Sequence, residues 1–581
     1  MKKKSETLRL QQPCNPSDNE RHALLEYALK RVNRSGELGE IIETLSPPEN
    51  IVDIEPEKNL NNKRIGIIGG GLSGMAAAFE LRKRGANVTV FEAEEKRIGG
   101  RVYTNYFDEK NSLYGELGAM RVPISHECTW KYINLFKLKT RPFVNTNENA
   151  FIYVRCQRMK DDSKGINVKK NIYPYFDMDS MESKASFSEL TEFAFSGSLN
   201  DINVEDRKDI LLIKEKYPES IEKWSSPNQV QALKMLNLSN GAIQCMGSVE
   251  SHFGALYNVS NFELLQDEYS LNLSFAYEVE DGMAKLPYAI YTSLNKKYPM
   301  EYKGIPIENI GKCTWLKGTK VRKVSFDKSH NKIKIQTDRK SMEFDYVICA
   351  IPFGCLRDIE ITPCLSSEKM TAIRDINYVS SFKALFLCKR RFWEEGKEFD
   401  PILGGVSNTD LTISTIWYPS DNAIMAENDD DSARCVYRGS TFDKWKCKEG
   451  NVSKSKGVLL ASYAHTLDAN RIGGISDNEK FELIKRQVEK VHGLPEGYMD
   501  DIVEEYKFMY WPNNPNSLGA FCHYVGDQKM DLSYAAYKPE YNERLYFAGE
   551  HICQSHGWMQ SAIQSGMRAA NDVVKHSFKI E

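Results

Sequence analysis

Gly69, Gly71 and Gly74 stand in the spacing G-x-G-x-x-G, and an acid, Glu92, ends the apolar stretch that follows. That pattern can hold a dinucleotide. Gly69 permits a tight turn. Gly71 lets the backbone approach a pyrophosphate with no side chain between them. Gly74 lets a helix pack close to the strand before it. The helix start adds free N–H groups and the positive end of a dipole. Glu92 can accept from ribose hydroxyls, and its charge disfavours a 2′-phosphate, which counts against NADP.

The elements needed to position these residues are legible around them. Residues 64–68 read as an apolar strand, 75–84 as an Ala-rich helix that Gly85 is placed to end, and 87–91 as a second strand. Near the other end, Leu545-Tyr546-Phe547-Ala548-Gly549-Glu550 is a short strand closing on Gly and an acid; Gly557-Trp558-Met559-Gln560 then opens a helix reaching residue 574. Residues 17–34 read as a helix with a Ser17/Glu20 capping box and an apolar face of Leu24, Leu25, Ala28, Leu29 and Val32, suited to docking on the body. Residues 46–62 read as a linker. From 161 to 275 the pattern is helical, as in 228–236, with no strand-turn-strand rhythm. Strands return over 312–351, clearest at 332–336 and 345–351, and again at 382–388 and 457–463. Residues 422–456 look like a loop whose acidic run, Glu427 to Asp431, is solvated. There is no internal repeat.

The stretch Arg97-Ile98-Gly99-Gly100-Arg101-Val102 resembles the second glycine motif of the amine-oxidase flavoproteins, in which the Gly pair and an Arg lie along FAD. With the first glycine motif and the C-terminal strand and helix, residues 63–574 resemble the flavin monoamine oxidase superfamily, and in detail the L-amino-acid oxidases. The resemblance implies an α/β fold: an FAD-binding Rossmann-type (glutathione-reductase-like) domain, a mixed-sheet substrate domain and an inserted helical domain. The implied division is an N-terminal helix and linker packed on the substrate domain (1–62), FAD-binding parts at 63–122, 276–375 and 537–581, substrate-domain parts at 123–160 and 376–536, and the helical domain at 161–275.

Residue roles follow from the same resemblance. Gly100, Arg101 and Met120 lie along FAD, the Val321 backbone meets the adenine, Glu550 holds the ribitol, and the Met559 N–H faces the flavin N1/C2=O edge. Arg121, in Glu116-Leu117-Gly118-Ala119-Met120-Arg121-Val122-Pro123, clamps a substrate carboxylate beside the cofactor. Tyr463 adds its hydroxyl to that carboxylate. Lys383 holds a water near flavin N5. Trp511 and Trp558 border the flavin and substrate, and the Gly557 carbonyl locates the amine. Monoamine oxidases lack the Arg, so Arg121 decides between the subclasses. Two departures stand out. Ala520 occupies the position of the flavin-linking Cys, with Cys522 two residues on, so non-covalent FAD is expected. Gln266 occupies the position of a His in the venom enzymes, beside Asp267 and Glu268. Those two acids offer either a partner for a basic side chain or a solvated acidic loop, with the loop favoured.

The implied activity is oxidative deamination of an L-amino acid to a 2-oxo acid, ammonia and H2O2, by hydride transfer to flavin N5. A decarboxylating amino-acid monooxygenase, a monoamine or polyamine oxidase, and a flavin-bearing binding protein without turnover are the alternatives. Bulk properties agree. The 581 residues suit two to four domains, and 41% hydrophobic with 27% charged residues is ordinary for a globular protein. A net charge of -3 supplies no field for nucleic acid or acidic membrane, and neither is expected as a partner. The 13 Cys include no C-x-x-C pair, which argues against a disulfide framework or metal site. Met1-Lys2-Lys3-Lys4 is basic, but no apolar run follows it. A cytoplasmic homo-oligomer without leader or membrane span is expected.

Overall fold

The computed structural model describes residues 10, 12–395, 401–425, 436–437, 440–441, 445–448 and 452–580. The basic start Met1 to Lys4 and the acidic run Glu427 to Asp431 lie outside the described residues.

The fold is α/β and Rossmann-type around a five-stranded parallel sheet. Its strands are β1 (Arg64–Ile68), β2 (Asn87–Phe91), β3 (Cys313–Leu316), β4 (Tyr346–Cys349) and β5 (Leu545–Phe547), in the spatial order β3-β2-β1-β4-β5. Strands buried on both faces must be apolar throughout, and β4 and β5 are buried at every position. Helix α1 (Leu72–Arg82) connects β1 to β2 and is buried along its whole length. It starts three residues earlier than residue 75, because the glycine turn ends at Gly71 and every residue after it is helical. The last helix, Met559–Ile580, packs on α1.

A second, seven-stranded sheet is mixed. In spatial order its strands are Val503–Tyr510, Ser381–Cys388, Gly457–His465, Thr415–Trp417, Val406–Thr409, Phe151–Val154 and Gln157–Lys160. The pairing of Val406–Thr409 with Phe151–Val154 is parallel, and the others are antiparallel. The edge strand Val503–Tyr510 escapes sequence reading because Glu504, Glu505 and Lys507 break its apolar pattern and are exposed. Charged residues on an edge strand block pairing with a further chain.

Between Lys160 and Ala276 the described residues contain helices and turns and no strand, in line with the helical reading of that segment. One helix there matters below: α2 (Asn261–Tyr269), with the Ser260 hydroxyl accepting from the Phe262 N–H at its start.

Three readings are refined by the structure. The helix read over 17–34 keeps its Ser17 capping box but spans Asp18–Arg31, because Asn33 takes a left-handed φ of 58°; a second helix, Leu38–Leu45, follows. Residues 46–62 contain no helix or strand and link Leu38–Leu45 to β1, but the linker is packed down. Ile51, Ile54 and Leu60 are buried, and the Arg84 guanidinium donates to the carbonyls of Val52 and Glu55, each at 2.9 Å. Within 422–456, Ala423–Met425 pairs antiparallel with Trp445–Cys447, so the described part of the stretch is not wholly irregular.

Among the described residues no helix is long and apolar enough to cross a membrane.

Candidate active site

One continuous cavity is lined by residues from both sheets, the helical segment and the last helix. At one end lie the glycines. Gly69 takes φ 108°, and a Cβ there would stand 2.6 Å from the Ala350 carbonyl oxygen. Gly71 caps α1 in an extended conformation, with no side chain satisfying the helix N–H groups. It bridges in parallel to Gly99 of the second glycine motif. Glu92, at the end of β2, accepts from the Gly70 and Glu94 N–H groups, each at 2.8 Å. Burial pushes its carboxyl above the usual range. Gly69, Gly71, Glu92, Gly100, Arg101 and Val321 all line the cavity. Gly74 does not; its Cβ would lie 2.1 Å from the Gly69 carbonyl oxygen, so it serves packing.

The middle is organised by Glu550. Its carboxylate accepts from Arg101 Nη1 at 2.7 Å and from the N–H groups of Cys522 and Gly557, each at 3.0 Å. Burial works against its charge, but the Arg101 guanidinium wins and holds the carboxyl below the usual range. Arg101 also donates to the Ala520 carbonyl at 3.0 Å. Ala520 lines the cavity, whereas Cys522 is fully buried outside the lining. Gly557, at φ 78°, turns the chain into the last helix, which Met559 opens at the cavity wall.

The far end carries the reactive side chains. Lys383 and Tyr463 are directly opposed on the antiparallel strands Ser381–Cys388 and Gly457–His465, so the pleat sends both to one face. The Lys383 Nζ sits 4.3 Å from the Tyr463 ring centroid and donates to the Gly118 carbonyl at 2.7 Å. Burial pushes the Lys383 ammonium well below the usual lysine range; Glu116 opposes that shift and Arg121 adds to it. Burial moves Glu116 the other way, above the usual carboxyl range. Tyr463 is pushed up to about 12 by burial, against the charge of Arg121, and stays a neutral hydroxyl.

Arg121 immediately precedes the short strand Val122–Pro123, and Asn145 lies two residues past Thr140–Phe143; both strands pair with Ala276–Val279. That shared neighbour brings Arg121 Nη1 within 2.8 Å of Asn145 Oδ1. Its guanidinium carbon lies 5.0 Å from the Trp417 ring centroid and 5.8 Å from that of Trp558. Met120 lines the wall beside it, and Trp511 donates its indole N–H to the Leu117 carbonyl at 2.9 Å.

Every residue singled out from the sequence as catalytic or cofactor-binding therefore lines this cavity, except Gly74. Sequence reasoning missed Asn145 and Trp417, and the wall that the helical segment adds through Gln229, His252, Phe253, Leu256 and Leu264. Gln266 is placed differently from expectation. It is buried outside the cavity lining, with its Oε1 accepting from backbone N–H groups of Ser555 and His556. Asp267 and Glu268 form no solvated loop, because they belong to α2. Asp267 lines the cavity, and Glu268 is buried and does not. The spacing of Glu263, Gln266 and Asp267, one polar helix face after the Ser260 cap, was the available signal.

The glycine end fits a dinucleotide. No side chain satisfies the N–H groups at the α1 N-terminus, and a Cβ on Gly71 would have only the Gly100 Cα, at 3.9 Å, within reach. The far end fits a small molecule carrying a carboxylate. Among the described residues no group of three or more His, Cys, Asp or Glu side chains could hold a metal ion.

A family model described as flavin containing amine oxidoreductase matches residues 72–574. An L-amino-acid oxidase of Bothrops atrox is 29% identical over 522 residues, covering 89% of this chain and 90% of that protein. One of Crotalus adamanteus is 29% identical over 523 residues, covering 89% and 88%. Among solved structures, a putrescine oxidase bound to putrescine superposes with a TM-score of 0.63 at 16% identity, covering 88% of this chain and 99% of that one. Cyclohexylamine oxidase from Brevibacterium oxydans IH-35A gives 0.61 at 14%, covering 89% and 99%.

Proposed function

The chain belongs to the flavin-containing amine oxidoreductase family, and from that premise we propose that it is an FAD-dependent L-amino-acid oxidase. The observation that carries the substrate assignment is the setting of Arg121. A guanidinium fixed by Asn145 and flanked by indole rings lines the same cavity as Lys383 and Tyr463. An amine without a carboxylate gives such a group nothing to bind, whereas an amino acid gives it a planar anion.

FAD would be held non-covalently by the glycine turn, Glu92, Arg101, Val321, Glu550 and the start of the last helix; Ala520 at the cavity wall offers no thiol for attachment. When bound, FAD supplies a two-electron acceptor that O2 can reoxidise. The protein's part is placement. Arg121 and the Tyr463 hydroxyl pin the carboxylate. The Gly557 carbonyl and the Trp558 ring fix the amine and α-carbon. Lys383, poorly solvated and drawn toward neutrality, can hold or release a proton at Nζ within the same cavity. Alignment of this kind contributes about 7–11 kcal/mol in favourable cases. In this reading, 63–122, 276–375 and 537–581 carry the cofactor, 123–160 and 376–536 carry the substrate sheet, and 161–275 closes the cavity.

The test is a peroxide assay over the twenty L-amino acids with D-enantiomers as controls, combined with product analysis. Peroxide, ammonia and a 2-oxo acid from L-enantiomers alone support the reading. CO2 and an amide would make the enzyme a decarboxylating monooxygenase, and turnover of amines in preference to amino acids would make it an amine oxidase.

A further inference from the structure

Helix α2 lies in the helical segment, far in sequence from the last helix, yet one of its faces meets the loop that leads into that helix, and its Glu263 also accepts from the Tyr524 N–H at 2.7 Å. Gln266 Oε1 accepts from the N–H groups of Ser555 at 2.7 Å and His556 at 3.1 Å. Glu263 accepts from His556 Nδ1 at 2.9 Å. Asp267 Oδ1 accepts from the Trp558 indole N–H at 3.0 Å. The three side chains are spaced i, i+3 and i+4, so a straight helix presents them together. Gln266 and Glu263 also bond to each other, which leaves the Gln266 carbonyl directed at the loop backbone.

Burial makes this arrangement specific. Glu263 is 2% exposed and Gln266 1%. Apolar side chains would fill the space with less risk, since a buried polar group that loses its partner is costly. Hydrogen bonds add direction, which apolar contact lacks. At Trp558 the direction is closed into a circuit. Asn272 Nδ2 donates to the same Asp267 oxygen at 2.8 Å, and Asn272 Oδ1 faces His126 Nε2 at 3.0 Å. The His126 ring meets the Trp558 ring edge-on, with centroids 5.1 Å apart. An indole has one donor and no acceptor, so a single fixed oxygen settles how its ring is turned.

We propose that Glu263, Gln266 and Asp267 form a latch through which the helical segment sets the position of Gly557 and the orientation of Trp558. They are positioning residues for the reaction, a role that rests on the substrate contacts assigned above to Gly557 and Trp558. In this scheme the inserted segment does more than roof the cavity. Its docking completes the substrate cage, and a substitution on α2 acts through residues some 290 positions away.

The experiment uses the full-length holoprotein labelled with 5-fluorotryptophan, with the Trp558 line among eight identified by W558F. Three variants are compared. Asp267→Ala removes the acceptor, Asp267→Asn keeps an acceptor oxygen and removes the charge, and Gln266→Met removes the loop's backbone acceptor. The Trp558 19F line should shift and broaden in D267A and Q266M and return near its wild-type position in D267N, with flavin content unchanged. Activity should follow the line: kcat falls by up to about 100-fold in D267A, the scale of a misplacement near 1 Å. KM should move by less than about threefold, and D267N should recover most of the loss. An unmoved Trp558 line in D267A overturns the proposal. So does a D267N variant as impaired as D267A but only toward amino acids with basic side chains, because Asp267 would then be a counter-charge for substrate. The 19F readout needs no turnover. A wild-type enzyme that oxidised no amino acid would refute the functional reading and leave the latch to be judged on the spectrum.

Discussion

Arg101 Nη1 lies 2.7 Å from Glu550 Oε1, which ties the second glycine motif to the turn after β5 across 449 positions of chain. The same carboxylate holds the N–H groups of Cys522 and Gly557. Three chain segments that line the cavity thus meet on one acid.

Removing that acid should cost both stability and cofactor. Glu550→Ala leaves the Arg101 guanidinium without its counter-charge and two N–H groups without their acceptor, and breaking a largely buried pair of this kind costs about 3 kcal/mol. The variant should melt several degrees lower and purify with a reduced ratio of flavin to protein absorbance. The double variant R101M/E550L carries no stranded charge and should be more stable than E550A, although equally poor in flavin. A double variant that melts below E550A would contradict this account.

Gly71 and Gly74 should separate cofactor binding from folding. A Cβ on Gly71 would have only the Gly100 Cα within 4 Å, and its φ of -81° suits alanine. A Cβ on Gly74 would collide with the Gly69 carbonyl oxygen at 2.1 Å. G71A is therefore expected to fold with the apoprotein's melting temperature but to lose flavin. G74A is expected to lower that melting temperature itself, by the several degrees that about 1–3 kcal/mol of overpacking strain implies. Thermal unfolding of flavin-stripped protein distinguishes the two.

The parts of this arrangement legible in sequence are those written locally. A strand, a glycine turn, a helix and an acid stand within thirty residues, and so do the last strand, Glu550 and Met559; short-range spacing carries their meaning. Lys383 and Tyr463 were each readable on a strand, but not that those strands would set them face to face. Asn145 looks like any loop asparagine until the strand Ala276–Val279 brings it to Arg121. Gln266 shows the same limit most clearly. The family resemblance implies a substrate-side position for it, yet it bonds to a loop nearly 290 residues away, and nothing near it in sequence announces that partner. Long-range hydrogen bonds leave no periodicity to read.

His492 offers a pH test independent of catalysis. Its ring is buried against Phe151 and Phe392, with Nε2 3.0 Å from the Tyr418 hydroxyl, and burial lowers it to about 3 from an ordinary 6.5. Between those values the unfolded chain binds a proton that the folded chain refuses. Stability from this group is complete above about pH 6.5 and is lost as pH falls toward 3. At pH 5 the loss amounts to about 2 kcal/mol. His492→Gln cannot take up that proton. Its melting temperature should lie below wild type at pH 8, and the gap should narrow steadily from pH 7 to pH 5. A gap that widens with acid would show that the histidine is charged in the fold.

Arg121 bears the substrate assignment, and its surroundings say how a variant should fail. The guanidinium is held by Asn145 and flanked by the rings of Trp417 and Trp558, so it is fixed before any ligand arrives. Two charge-assisted hydrogen bonds to a carboxylate contribute about 1.5–3 kcal/mol each, and R121A should lower kcat/KM for amino acids by roughly 10²- to 10⁴-fold. Most of the change should fall on KM, with flavin content unaltered. R121K should recover little, because an ammonium cannot reproduce the planar fork. N145A should cost about tenfold by letting the guanidinium turn away. The decisive comparison is between an amino acid and its decarboxylated amine. Wild type should prefer the amino acid strongly, and R121A should lose that preference without gaining rate on the amine, since the lost contact concerns the carboxylate alone. Equal discrimination in both proteins would mean that Arg121 never meets the substrate.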